Sequence, residues 1–230
     1  MLKLMKLEMK KFKMKGYVKA VAITTFVLLC FMLLICLTSQ NETELNFLSF
    51  VEVIDMVDSL VRAVYVVFAG TLLAKYIIDE YKNKTITILF MYPISRKKIM
   101  LAKLLLVGIT IFFTMLLSNL ILSSILYIFA TFTGTITNAI DIHQLLIKAI
   151  NVIIIDLGLT GMSLISLYFG MRGKSVKATI VTSIILVSIV GSNWGEAFSL
   201  VTIIYVPIIL GIIGIAIAYM AIRNVDNLDV

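Results

Sequence analysis

The chain carries almost none of the residues that enzymes use. Of its 230 residues one is histidine, His143, and two are cysteine, Cys30 and Cys36. An intramembrane metalloprotease needs several His, Asp or Glu ligands clustered on helices, so a single histidine removes that class. A serine nucleophile at a G-x-S-x-G turn needs a base within reach, and no such grouping is present. Cys30 and Cys36 stand six apart in one apolar run, too far round and along a helix to bridge; they read as buried small hydrophobes. "LLIC", 33–36, places bulky Ile35 where a lipid-modified cysteine wants a small neighbour, which excludes lipidation there. "GMRGKS", 170–175, ends like a phosphate-binding loop, but Tyr168 occupies the position that needs glycine and no strand precedes it. It reads as a short basic loop. The chain is therefore expected to bind no ATP, no metal and no cofactor of its own.

Charge is scarce too. Charged residues make up 14% of the chain, well below the roughly 25% of a soluble domain, while 61% are hydrophobic and the mean hydropathy is +1.08. A helix rises 1.5 Å per residue and the hydrocarbon core is about 30 Å thick, so apolar runs near 20 residues read as membrane spans. Six runs qualify: 17–38, 60–78, 101–130, 145–170, 178–192 and 200–222. They do not alternate in polarity, which argues against a spanning β-barrel. The fifth is short and stops at "GSNWGEAF", so its outer part is expected to break or dip back. With no internal repeat and no linker composition, the expected architecture is an all-α integral membrane protein with one membrane domain over 1–230.

The charges that remain are segregated. Seven lysines between Lys3 and Lys19 crowd the start of the first run; Lys75, Lys82, Lys84, Arg96, Lys97, Lys98 and Lys103 flank the second and third; Arg172, Lys174 and Lys177 separate the fourth and fifth; Arg223 follows the sixth. The opposite segments hold Glu42, Glu44, Glu52, Asp55, Asp58, Asp141 and Glu196, with only Arg62 and Lys148 as basic neighbours. The positive-inside rule puts the basic side, and both termini, in the cytoplasm. The first run is longer than a signal-peptide core and no small-x-small site follows, so it is expected to stay as an uncleaved span.

Inside the runs, polar groups are few. A channel or secondary transporter carries several ionisable residues near the midplane; here Asp156 is the clear case. It costs about 2.5–3.5 kcal/mol on insertion scales, so it must face protein or water or be protonated. Asn151, Thr160 and Ser163 are the expected hydrogen-bonding neighbours, and the residue reads either as a helix-packing contact or as part of a path. Glu52, Asp55, Asp58, Ser59 and Arg62 share one helical arc at the outer end of the second span, Asp58 and Arg62 at i,i+4. They read as a solvated, salt-bridged helix end or as an acidic vestibule.

One segment, 79–103, is long enough to live in water. Ile86, Leu89 and Phe90 share a helical face in "KTITILFMY", and Pro93 forces Tyr92 out of helical geometry. Ser95 then offers an N-cap for the third span, with Arg96, Lys97 and Lys98 at the anionic inner leaflet. A short helix presented between two spans is a docking handle; a mere connection needs neither this length nor an apolar face. At the N-terminus, Leu2, Met5, Met9 and Phe12 form a stripe flanked by lysines, the pattern of an interfacial helix over 1–16.

"EYKNKTITILFMYPISRKKIMLAK", 80–103, resembles the signature of type-2 ABC exporter permeases. Glu80, Thr85, Ile86, Leu89, Pro93, Ser95, Arg96 and Lys103 match; Lys84 stands where the family usually has glycine. The six-span layout and interfacial helix extend the resemblance over the chain. It implies a coupling segment, 79–100, that docks a cytoplasmic ATPase subunit through Glu80, Lys84, Thr85, Ile86, Leu89, Phe90, Pro93 and Arg96. It implies ATP and Mg2+ held by that partner, and a second permease copy or a paralogue. It implies an interface or path along the first and fifth spans, where small residues allow close packing: Thr24 with Ala20 and Thr25, and Thr182, Ser188 and Ser192 with Ala178, joined by Asp58, Arg62 and Asp156. Small members of this composition move amphipathic or antimicrobial peptides across the bacterial cell membrane; lipid, drug or Na+ efflux, or a non-transporting scaffold or sensor, are the alternatives.

Overall fold

The computed structural model describes residues 14–39, 50–82, 96–133, 142–173, 175–191 and 205–223. All of its regular elements there are helices: α1 (Met14–Ser39), α2 (Phe50–Leu73), α3 (Arg96–Thr133), α4 (Ile142–Ser163), α5 (Ile165–Gly173), α6 (Val176–Gly191) and α7 (Tyr205–Arg223). A π-helical turn, Ala74–Ile78, and a last α-helical turn, Asp79–Lys82, continue α2. Five stretches are long and apolar enough to cross a membrane, with Val176–Gly191 as a shorter sixth. The all-α expectation and the short fifth run are both met. The expected interfacial helix lies outside the described residues but for its last three, as do Lys84, Thr85, Ile86, Leu89, Phe90, Pro93 and Ser192.

Two boundaries moved. α2 starts at Phe50, ten residues before the apolar run at Leu60, because its polar N-terminal turns still bury Val57 and Asp58 against α3 and α4. α3 has 38 residues, about 57 Å at 1.5 Å per residue, and so projects beyond a hydrocarbon core of about 30 Å.

α2 forms the bundle's spine. Val61, Tyr65, Val66, Ala69, Leu73, Ile77 and Ile78 along it are buried, and α3, α4 and α6 pack around it. α1 is peripheral: only Leu28 and Met32 are buried, while Ile23, Phe26, Val27, Phe31 and Leu34 face outward. Such a face would aggregate in water, and in a bilayer it is simply solvated by lipid. Two polar residues of α1 tether it to α2 and α3. Tyr17 donates to Thr114 Oγ1 at 3.2 Å, and Thr25 shares hydrogen bonds with Tyr65 (3.0 Å) and Ser118 (3.1 Å), which are themselves 2.7 Å apart.

The tightest seam joins α4 to α7, and its cause is glycine. Gly158 and Gly161 on α4 lie against Pro207, Gly211 and Gly214 on α7 with backbone touching backbone. A Cβ at Gly161 would lie 2.8 Å from the Gly211 carbonyl oxygen, and one at Gly211 would lie 2.7 Å from that of Gly158. Lipid offers no hydrophobic drive between helices, so such close van der Waals contact is what holds them. We expect Gly161→Leu to destabilise the purified protein by at least the roughly 1–3 kcal/mol of an overpacked core. Thermal unfolding in detergent checks this; an unchanged midpoint would mean that the seam is not as tight as drawn.

Just past this seam α4 breaks. Thr160, Ser163 and Ser166 each donate a hydroxyl to the carbonyl three residues back, at 2.7, 2.7 and 2.8 Å. The Leu164 and Leu167 amides also take i−3 partners, both at 3.1 Å. Hydroxyls bonded back onto a helix favour a bend, and α5 continues beyond the break in contact with α6. Thr179 and Ser183 of α6, both fully buried, press into notches at Gly170 and Gly70.

Candidate functional site: a buried charge network and a clasp at the far end of α2

The i,i+4 spacing of Asp58 and Arg62 delivers an ion pair on α2. The Arg62 side chain also reaches α4, where its Nε donates to Asp156 Oδ1 at 3.3 Å. Asn119 of α3 completes the group: its Nδ2 carries two hydrogens, and it donates to Asp58 Oδ1 at 3.1 Å and to Asp156 Oδ2 at 3.3 Å. Asp58 is 3% exposed and Asp156 0%, so the inner part of the arc is buried, while Asp55 and Ser59 remain exposed as a helix end would be. Asp156 finds its partners across helices, not among Asn151, Thr160 and Ser163. Thr160 and Ser163 are turned back onto their own helix. One cation against two carboxylates leaves the cluster with a formal charge of −1.

Beside the network lies a cavity of about 760 Å³ between α2, α3 and α4. Its walls are apolar, from Val57, Leu116, Leu120, Leu145, Val152 and Ile153, with Asp58, Asn119 and Lys148 supplying polar ends. At its rim Lys148 pairs with Asp55.

At the other end of α2 stands the second charged group. Lys103 of α3 is 1% exposed and pairs with Glu80, and its Nζ also donates to the Tyr76 carbonyl at 3.5 Å. A π-helical turn adjoins this clasp. It closes through the Asp79 amide onto the Ala74 carbonyl, five residues back, a single-turn insertion of the kind that often marks functional sites. From Asp58 to Glu80 is 22 residues, about 33 Å along the helix. The charge network and the clasp thus stand roughly one hydrocarbon thickness apart.

The remaining expected residues do not converge. Thr24 donates to the Ala20 carbonyl and Thr182 to those of Ala178 and Thr179, all at 2.9 Å, and Ser188 is exposed and bonded to the Ile184 carbonyl at 3.0 Å. Arg96 opens α3. Asn119 was not singled out from sequence, nor were Tyr65 and the adjacent Ser118, which share hydrogen bonds with Thr25. A lone amide in "LLSNLILS" was the available signal for Asn119.

A sequence model of the family described as "ABC-2 family transporter protein" matches residues 4–191. A Bacillus subtilis (strain 168) protein, "Uncharacterized protein YcbO", is 35% identical over 226 residues, covering 98% of this chain and 99% of its own. No solved structure matches.

Proposed function

Because the chain belongs to the ABC-2 transporter protein family, whose members are multi-pass membrane permeases, we propose that it is the transmembrane subunit of an ATP-driven exporter of amphipathic peptides. It forms one permease domain in a bacterial cell membrane, with both termini cytoplasmic, and works with a second permease and two ATPase subunits that hold ATP and Mg2+.

The Glu80–Lys103 clasp carries this reading. It ties the end of α2 to the start of α3 at the base of 83–95, the segment with the docking signature. A displacement of that segment is therefore delivered to two helices at once, and both also hold the charge network. Residues Leu89 and Phe90 grip the ATPase in this account, while Glu80 and Arg96 hold the segment's ends. The cavity supports an amphipathic cargo over a bare ion: a dehydrated cation wants a ring of several oxygen ligands, whereas these walls are mostly carbon. Exposed Ser188 and half-buried Thr24 and Thr182, the small residues of α1 and α6, face the second permease.

The cargo is tested with the purified complex in nanodiscs. Cationic amphipathic peptides are expected to raise its ATP hydrolysis severalfold, and an anionic peptide of equal length to leave it unchanged. Hydrolysis unmoved by any cationic amphipath would remove peptides as the cargo and leave the permease assignment standing.

A further inference from the structure

We infer that the cavity between α2, α3 and α4 is a binding site for the head of a cationic amphiphile, an alkylammonium-like group seated on Asn119 and Asp58 with its tail along the apolar walls. Three features of the site lead there. First, among the described residues Asn119 Oδ1 is a buried acceptor with no partner. Its residue is 9% exposed and lines the cavity. The amide cannot turn to cure this, because its Nδ2 is held by two carboxylates, and swapping the ends would set oxygen against oxygen. An orphaned buried acceptor costs about 1–3 kcal/mol, which a donor from an occupant would recover.

Second, the charged groups of the lining are already spoken for. Asp58 and Lys148 are the charged side chains in the cavity wall; behind them Lys148 pairs with Asp55, and Arg62 is shared between Asp58 and Asp156, so the carboxylates tied to the wall outnumber their cations by one among the described residues. Both cations are already engaged with carboxylates, so an anionic head finds no partner here and a cationic one does. Third, the volume of about 760 Å³ falls in the range of sites for drug-sized molecules. Its apolar lining suits an alkyl or aliphatic side-chain body. The required ligand donates a hydrogen bond, carries positive charge and brings an apolar tail.

The inference rests on the export reading for what the occupant means, but its test needs neither ATPase nor ATP. A single reporter, Ser124→Cys on the cavity wall, is made in a chain carrying Cys30→Ala and Cys36→Ala. It is placed in phosphatidylcholine nanodiscs and alkylated with N-ethylmaleimide. Dodecylammonium is expected to slow alkylation at least fivefold, while dodecanol and dodecyl sulfate at equal membrane loading do not. A reporter at exposed Phe132→Cys, outside the cavity lining, controls for surface charge. Asn119→Leu should abolish the protection; if that variant does not fold, Asp58→Asn, which keeps Arg62 on Asp156, should reduce it severalfold. Equal protection by dodecanol would show an apolar slot filled by any chain, lipid included, and would overturn the proposal. So would no protection, or protection undiminished in Asp58→Asn. Failure here alongside a bound, peptide-stimulated ATPase removes the site and keeps the exporter; protection without an associated ATPase does the reverse.

Discussion

Arg62→Met is expected to abolish most folded protein. The substitution keeps the length and apolar stem of the side chain but removes the cation that lies between Asp58 and Asp156. Two estimates compete. Interhelical hydrogen bonds in membranes average about 0.6 kcal/mol, which would make the variant nearly silent. Breaking a buried ion pair and leaving its partner charged costs about 3–5 kcal/mol. The second applies, because both carboxylates are buried and Asn119 alone has too few donors for them. Monodisperse yield in detergent should therefore fall at least tenfold. The triple variant Arg62→Met with Asp58→Asn and Asp156→Asn should recover most of it, because the buried negative charges leave together with the cation. A single variant as stable as the parent, or a triple variant no better than the single, would mean that the network contributes little to the fold.

The second large effect is expected at the docking segment. Leu89→Asp with Phe90→Asp replaces two side chains whose burial contributes about 1.5–3 kcal/mol each. Lost together they weaken ATPase binding by about 3–6 kcal/mol, roughly a hundredfold to ten-thousandfold. The permease itself should stay in the membrane with unchanged yield. Co-purification of the ATPase at the parent level would remove these two residues from the interface.

Different parts of the structure were legible for different physical reasons. Span number and the short α6 followed from apolar length alone, because hydrocarbon thickness sets helix length. The Asp58–Arg62 pair followed from helical spacing, and Asp156 announced itself by its cost. What a single helix cannot say is which neighbour lies opposite. That gap hid Asn119, which matters only because α2 and α4 bring their carboxylates to it. It also hid the α4 and α7 seam, although "GLTG" and "GIIG", 158–161 and 211–214, carry the same small-residue spacing. On α6 the residues one step from the expected Ala178 and Thr182, Thr179 and Ser183, turn out to be the buried ones. A small-residue pattern marks a helix as able to pack closely without saying on which side. Glu80 and Lys103 were read as separate matches to a signature, and the π-helical turn that adjoins their clasp left no mark in hydropathy.

The central claim is that this permease works with an ATPase held at the clasped end of α2 and α3. Affinity-tagged chain purified from its native membrane, with every co-purifying protein identified by mass spectrometry, tests it most directly. The account predicts a stoichiometric nucleotide-binding ABC subunit, lost in the Leu89→Asp, Phe90→Asp variant. A chain that comes through alone, or only with proteins lacking a nucleotide-binding domain, would contradict it.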